Sequence, residues 1–213
     1  MRALVCLALL TGTAAAAPNE LTFGSNVRAL PNADPVTPDS LAGGGLGIGR
    51  RIDTFALPHH LELWVDAGIL WSGASGQMFQ TLKTDLFDMT ITAGGHLRYH
   101  PFRALAVSGA LAVGYEHASL SIEDTMGHTA SDTAWGAVAR ASIQADLMVV
   151  DLRKFALGFR AELGYLKASG IELVPREGRS GDADTLYLPM QEASLGHLDL
   201  SGPYFNFGLF SQF

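Results

Sequence analysis

The chain has 213 residues, with 14 basic against 21 acidic side chains and a formal charge of −7. No Lys/Arg cluster breaks that acidic balance, which excludes a nucleic-acid-binding reading. It is 48% hydrophobic, with mean hydropathy +0.20 and 24 glycines, but no run approaches ~18 consecutive apolar residues, so helical membrane spans are excluded and the hydrophobicity must be spread over short segments.

Met1-Arg2 is followed by an apolar run from Ala3 to Leu10, then Thr11-Gly12-Thr13 and alanines up to Ala17. Charge, short apolar core and small-residue region describe a secretory signal peptide, and the apolar core is too short to span a membrane. Cleavage is expected after Ala16, since a scissile bond immediately before Pro18 is a poor substrate. The chain thus divides into a signal peptide, 1–16, and one domain, 17–213. Cys6 is the single cysteine and lies in the signal segment, which leaves the mature chain without disulfides, thiol chemistry or a cysteine metal site.

Leu21 to Ala29 alternates apolar and polar residues and predicts a first strand; Pro31, Pro35 and Pro38 with Asn32, Asp34 and Asp39 then predict an exposed loop. The second strand, Gly43 to Asp53, places Gly43, Gly45, Gly47 and Gly49 on one face and Leu46 and Ile48 on the other. Its Gly-x-Gly-x-Gly lacks the following helix of a nucleotide-binding fingerprint, so glycines lining a crowded interior are the better account. From Leu61 a third strand alternates to Ser72, and after an expected loop at Gly73 to Asp85 a fourth sets Phe87, Met89, Ile91, Ala93, Leu97 and Tyr99 against Asp88, Thr90, Thr92, His96 and Arg98. At ~3.3 Å per residue and ~45° tilt, Phe87 to Tyr99 rises about 28 Å, the height of a transmembrane strand with its aromatic girdles.

A tight turn at Pro101-Phe102-Arg103 leads to a fifth strand with Leu105, Val107, Leu111, Val113 and Tyr115 on one face. A polar loop, Glu123 to Asp132, precedes the sixth, where Trp135, Ala137, Ala139, Ala141, Ile143 and Leu147 share a face. A short turn at Asp151 to Lys154 leads to the seventh, with Phe155, Phe159, Leu163 and Tyr165 opposite Arg160 and Glu162. The longest polar stretch, Ala168 to about Gly196, precedes the last strand, Gly202 to Phe213. Eight strands whose connections alternate long and short predict an all-β fold, an eight-stranded antiparallel up-and-down transmembrane β-barrel with short periplasmic turns and long outer loops. Ile171 to Val174 and Leu186 to Leu188 leave a ten-stranded alternative open. Trp71, Phe87, Tyr115, Trp135 and Tyr165 sort to the outer rim, and Tyr99, Phe155 and Phe213 to the inner one. A soluble lipocalin-like barrel would point its apolar face inward and solvate the charged one, which fits poorly here because the polar face carries mixed charges of both signs.

The final strand, with Phe205, Phe207, Leu209 and Phe213 on one face and an aromatic last residue, resembles the terminal strand of bacterial outer-membrane barrels, in which that residue is the assembly signal. As a pattern of strands, loops and terminus, the chain from residue 17 onward resembles the small eight-stranded outer-membrane barrels of the OmpA and OmpX type, porin-like in architecture. The resemblance implies location in the bacterial outer membrane, and partners that are outer-membrane lipid and lipopolysaccharide, with the barrel-assembly machinery during insertion. No cofactor is expected, and no periplasmic cell-wall-binding domain is expected after the barrel, a departure from full-length OmpA that removes the cell-wall anchoring role. The expected function is a non-enzymatic envelope protein with a plugged polar interior and long outer loops; Glu177, Arg179, Asp182 and Asp184 say only that those loops are solvated.

Eight strands leave an interior just wide enough for side chains. Glu62, Asp66, Arg98, Arg140, Arg160 and Glu162 are therefore expected to form an interior charge network, each ion paired because an unpaired buried charge is costly. Two alternatives remain, a lipid A-modifying barrel and a narrow pore. For the first, His117 and Ser119 resemble the His-x-Ser pair of lipid A deacylases, a nucleophile beside its base. The acid expected a dozen residues on is absent, with Thr129 and Ala130 in that region and Glu123 too near. His128, Ser131 and Asp132 loosely resemble loop residues of lipid A palmitoyltransferases. His59-His60 and His96 with His100 invite a metal reading, but residues four apart on a strand lie ~13 Å apart, and rim or turn histidines are the simpler account.

Overall fold

The computed structural model describes residues 19–31, 39–55, 57–58, 60–78, 82–152, 155–173, 176–177 and 197–213. Among the described residues there are eleven strands: β1 (Asn19–Ala29), β2 (Ser40–Ile52), β3 (Leu61–Met78), β4 (Leu82–Phe102), β5 (Leu105–Glu123), β6 (Thr129–Leu152), β7 (Phe155–Ala168), β8 (Ile171–Glu172), β9 (Arg176–Glu177), β10 (His197–Leu198) and β11 (Gly202–Gln212). The signal segment, the prolines at 35 and 38 with Asn32 and Asp34, His59, Lys154, Val174, Arg179, Asp182, Asp184 and Leu186 to Leu188 lie outside the described residues.

The eight long strands form one antiparallel ring in the order β5-β4-β3-β2-β1-β11-β7-β6, closed by β5 against β6. This is the eight-stranded up-and-down barrel that the alternation predicts. Of the residues behind the ten-stranded alternative, the described ones form only two-residue pairs outside the ring: β8 with β10, and β9 with β6 at Ala130 and Ser131.

The registers set the tilt. Following paired residues around the ring takes Asn19 to Arg50, Val65, Gly95, Leu111, Ala141, Tyr165 and Pro203. Pro203 stands beside Tyr204, the partner of Arg28, so the path returns to β1 at Ala29, ten residues above its start. Ten residues of shear over eight strands give a tilt of about 40°, within the range of closed barrels. The seam between β1 and β11 is sealed to its last residue: Asn19 N–H donates to the Phe213 carbonyl at 2.8 Å and Phe213 N–H returns to Asn19 at 3.0 Å. Midway along that seam Gly24 faces Gly208, and a Cβ on Gly208 would collide with the Phe23 carbonyl, so this close approach requires glycine.

Side chains alternate out and in along every long strand. Phe23, Leu111, Val113, Tyr115, Trp135, Ile143, Leu163, Phe205, Phe207 and Phe213 all point outward and are exposed, an apolar belt on the wall of the cylinder. A belt of this kind is stable only against lipid. The inward face is polar over the lower two thirds and apolar at the outer end. There Leu30, Leu41, Leu86, Ala118, Leu120, Val138 and Leu166 from the strands meet Ile171, Leu173, Leu198 and Leu200 from the last loop in a buried cluster.

Two expected loops are in part strand. β3 and β4 stay paired out to Met78 and Leu82, and β5 and β6 out to Glu123 and Thr129. The reason is that Leu86, Ala118 and Leu120 on the lumen-side positions bury themselves in the apolar cluster, which supports pairing beyond the girdle. The turn from Asp124 to His128 is made by Gly127 at φ 85, a left-handed conformation that favours glycine. At the opposite end β4 continues through Pro101 and Phe102, into the expected turn, with a bulge between Tyr99 and Phe102.

Candidate functional site

The lumen places the charged residues in layers. In the layer nearest the periplasm, Arg98 reaches Glu20 at 2.6 Å and Asp146 at 3.0 Å, while Arg160 reaches Glu20 at 2.6 Å and grips Asp146 through two bonds of 2.6 and 2.8 Å. Two guanidiniums and two carboxylates thus form a neutral square. It is floored by Trp64, whose ring lies 4.5 Å from the Arg98 guanidinium, and by Phe210 at 5.4 Å from that of Arg160. Such planar, multiply bonded arginine pairs are the arrangement that buried charge tolerates best.

Above this layer Glu162 accepts the Tyr204 hydroxyl at 2.6 Å and has Arg140 at 4.0 Å, with the Arg140 guanidinium over the Tyr204 ring. Asp66 meets His96 Nδ1 at 2.9 Å, and the His96 ring stacks on Trp64 at 5.8 Å between centroids. His96 is therefore not a rim histidine: it is 3% exposed, inside the lumen. Its position four residues from His100 hides this, because both share the inward face while only His100 stands at the mouth. Among the described residues no group of three His, Cys, Asp or Glu side chains is arranged to hold a metal.

Between these groups and the glycines of β2 lies a cavity of about 60 Å³, lined by Thr22, Gly45, Gly47, Asp66, His96, Arg140, Gln144, Glu162 and Asn206. Its volume suits a few water molecules, and His96 Nε2, Gln144 Oε1 and Asn206 Oδ1 are buried there without hydrogen-bond partners in the protein. Gly45 and Gly47 form its β2 side. Nearer the outer end a third charged group forms: Arg28 bonds Asp88 at 2.7 Å and Glu116 at 2.8 Å, directly below the apolar cluster.

Of the six residues expected in the network, Arg98, Arg140, Arg160 and Glu162 lie in the lumen with acidic or basic partners, and Asp66 lies against His96. Glu62 sits instead at the periplasmic mouth, where Arg51 reaches it at 3.2 Å, Trp64 Nε1 donates at 3.0 Å and His100 stands at 3.4 Å. Glu20 and Arg28 were missing from that set because they sit at the two ends of β1, where alternation gives no depth. The inward parity of Asp88, Glu116 and Asp146 is readable from sequence; their partners on distant strands are not.

His117 and Ser119 are on β5 at the outer rim, facing outward. The His117 ring packs on Trp135 at 4.7 Å between centroids, a tilted aromatic contact across the β5–β6 pair. His128 hydrogen-bonds Asp124 within its own turn at 3.0 Å, and the Asp124 carboxyl is held below its usual range by the His128 side chain and backbone N–H. Asp132 stands opposite Leu120 in the next pair of rows.

Comparison with solved structures places this architecture. No protein-family profile matches the sequence, and no curated protein matches it. The fold is that of the small bacterial outer-membrane β-barrels. The attachment invasion locus protein Ail of Yersinia pestis superposes with a TM-score of 0.50 at 12% identity, over 92% of this chain and 99% of that one. A structure of Ail in complex with the heparin analogue sucrose octasulfate gives 0.51 at 13% identity, over 92% and 99%. A major outer membrane protein of Thermus thermophilus gives 0.51 at 11% identity, over 93% of this chain and all of that one. The chain thus has the fold of an outer-membrane barrel, and its exposed apolar belt is the face that such a barrel turns to lipid.

Proposed function

We propose that the chain is a non-enzymatic outer-membrane barrel with a closed interior, acting through its outer end as an envelope or surface-interaction protein. The observation that carries this reading is the stacking of seals in the lumen: the arginine–carboxylate square, the Arg28 group and the apolar cluster of Leu30, Leu41, Leu120, Ile171 and Leu200 occupy successive levels. A channel would need all three displaced. Among the described residues, the pair of hairpins β3–β4 and β5–β6 beyond the girdle is able to meet a partner. Their tips carry hydroxyls and acids at Ser75, Ser121, Ser131, Asp85, Glu123 and Asp124, together with Lys83, His128 and the exposed Met126.

Planar-bilayer recording of the purified barrel tests closure; steady conductance steps overturn it. The surface reading is tested by adhesion of expressing cells to coated plates. An acidic rim should retain cells on polycation-coated plates more than on heparin-coated ones, unlike the protein whose structure holds a heparin analogue; preferential retention on heparin overturns the assignment. Lipid A from cells carrying wild type or Ser119→Ala should have the same mass spectrum, and a changed acylation pattern would restore the enzymatic alternative.

A further inference from the structure

The lumen charges do not balance. Among the described residues inside the barrel, Glu20, Asp66, Asp88, Glu116, Asp146 and Glu162 are set against Arg28, Arg98, Arg140 and Arg160. The lower square is neutral, Arg140 matches Glu162, and Asp66 has His96. That leaves Arg28 alone with two acids.

The geometry at Arg28 is specific about which oxygens are served. Its Nη2 bonds Asp88 Oδ2 at 2.7 Å and its Nη1 bonds Glu116 Oε1 at 2.8 Å. The hydroxyls of Ser72 and Thr90 also donate to Asp88 Oδ2, at 3.2 and 3.4 Å. The second oxygens, Asp88 Oδ1 and Glu116 Oε2, are buried and accept nothing. Two buried carboxyls therefore share one guanidinium, each with an oxygen that accepts no hydrogen bond, in a site where Asp88 is 1% and Glu116 0% exposed. From β1 the pair meets Arg28, from β3 Ser72 and from β4 Thr90; above it stand the apolar side chains of Leu30, Leu41 and Leu120.

We infer that the Asp88–Glu116 pair is a binding site for one proton at neutral pH. The proton neutralises one of the two carboxyls and leaves one negative charge against the single guanidinium. Two ionised carboxylates this close in a water-poor site cannot both persist beside one cation. A metal ion is disfavoured by the guanidinium already bonded to both carboxyls and, among the described residues, by the lack of a third His, Cys, Asp or Glu beside them.

The folded barrel then holds a proton that the unfolded chain, with both acids in water, gives up at neutral pH. Stability from this site is present when the pH is low enough for the folded pair to keep the proton, and is lost as rising pH strips it. Since the pair lies beneath the apolar cluster, alkaline loosening begins at the outer mouth.

The test uses the purified full chain in detergent micelles. Infrared spectroscopy at neutral pH should show the carbonyl band of a protonated carboxylic acid, lost in Glu116→Gln. The urea midpoint of the wild type should shift downward between neutral and alkaline pH, and Glu116→Gln should remove that shift. Absence of the band, or an unchanged shift in Glu116→Gln, overturns the inference. A neutral-pH midpoint lowered by a chelator also overturns it in favour of a metal ion. If Glu116→Gln does not fold, Asp88→Asn is read in its place, and the wild-type band decides if neither folds.

Discussion

At the scale of single residues, the barrel depends on a few arginines whose partners come from strands far apart in the chain. Arg160 and Asp146 are near neighbours on β6 and β7, but both complete their bonds through Glu20 and Arg98, on β1 and β4. Asp146→Ala leaves two guanidiniums facing one buried carboxylate. Breaking a buried ionic group from one side costs about 3–5 kcal/mol, so the variant should unfold at markedly lower urea in lipid vesicles, while a wild-type midpoint would show that the square is dispensable. The inward parity of Asp146 and Arg160 is visible as alternation against Leu147 and Phe159. Their pairing with Glu20 is not, because a strand pattern gives the side a residue faces and not the height at which it stands.

At the scale of elements, β11 is the strand on which closure depends. It pairs with β7 over one edge and β1 over the other, and its outward Phe205, Phe207, Leu209 and Phe213 continue the belt. Deleting Phe213 removes the two terminal bonds to Asn19 and the aromatic end of the seam. The expected outcome is a fall in the inserted fraction, read by protease protection of whole cells, with little change in the stability of molecules that do insert; normal insertion would count against the role of the last strand. The β5–β6 hairpin gives a pH prediction outside the membrane. The Asp124 carboxyl, held low by His128, supports its turn above the ordinary carboxylate range and loses that support as pH falls through its depressed value. Amide NMR shifts of Gly127 and His128 should move together in acid, and Asp124→Asn should abolish the step.

At the scale of the whole molecule, belt, shear and seals describe a cylinder that is greasy outside and charged within, the reverse of a soluble barrel. Such a protein stays folded in mild detergent until heated. The unheated barrel should run ahead of its heated form on gels of outer-membrane extracts, and recovery of the chain only from the soluble periplasm would refute its place in the membrane. The outer end departs most from a plain cylinder. Its hairpins are longer than the alternation of Phe87 to Tyr99 required, and its inner face turns from charged to apolar at Leu86, Leu120 and Leu166. Those leucines occupy positions that parity marks as inward. Only the last loop folding back with Ile171, Leu173, Leu198 and Leu200 makes them a core.

The sequence by itself determined the strand count, the up-and-down order, the side each residue faces and the lipid-exposed belt, because all of these follow from a period of two and the spacing of turns. Only the tertiary structure decided which charges meet, that His96 is buried while Glu62 stands at the mouth, and that Arg28 is left with two acids. Those depend on the ten-residue shear, which slides each strand past the next and so sets the depth at which inward residues meet.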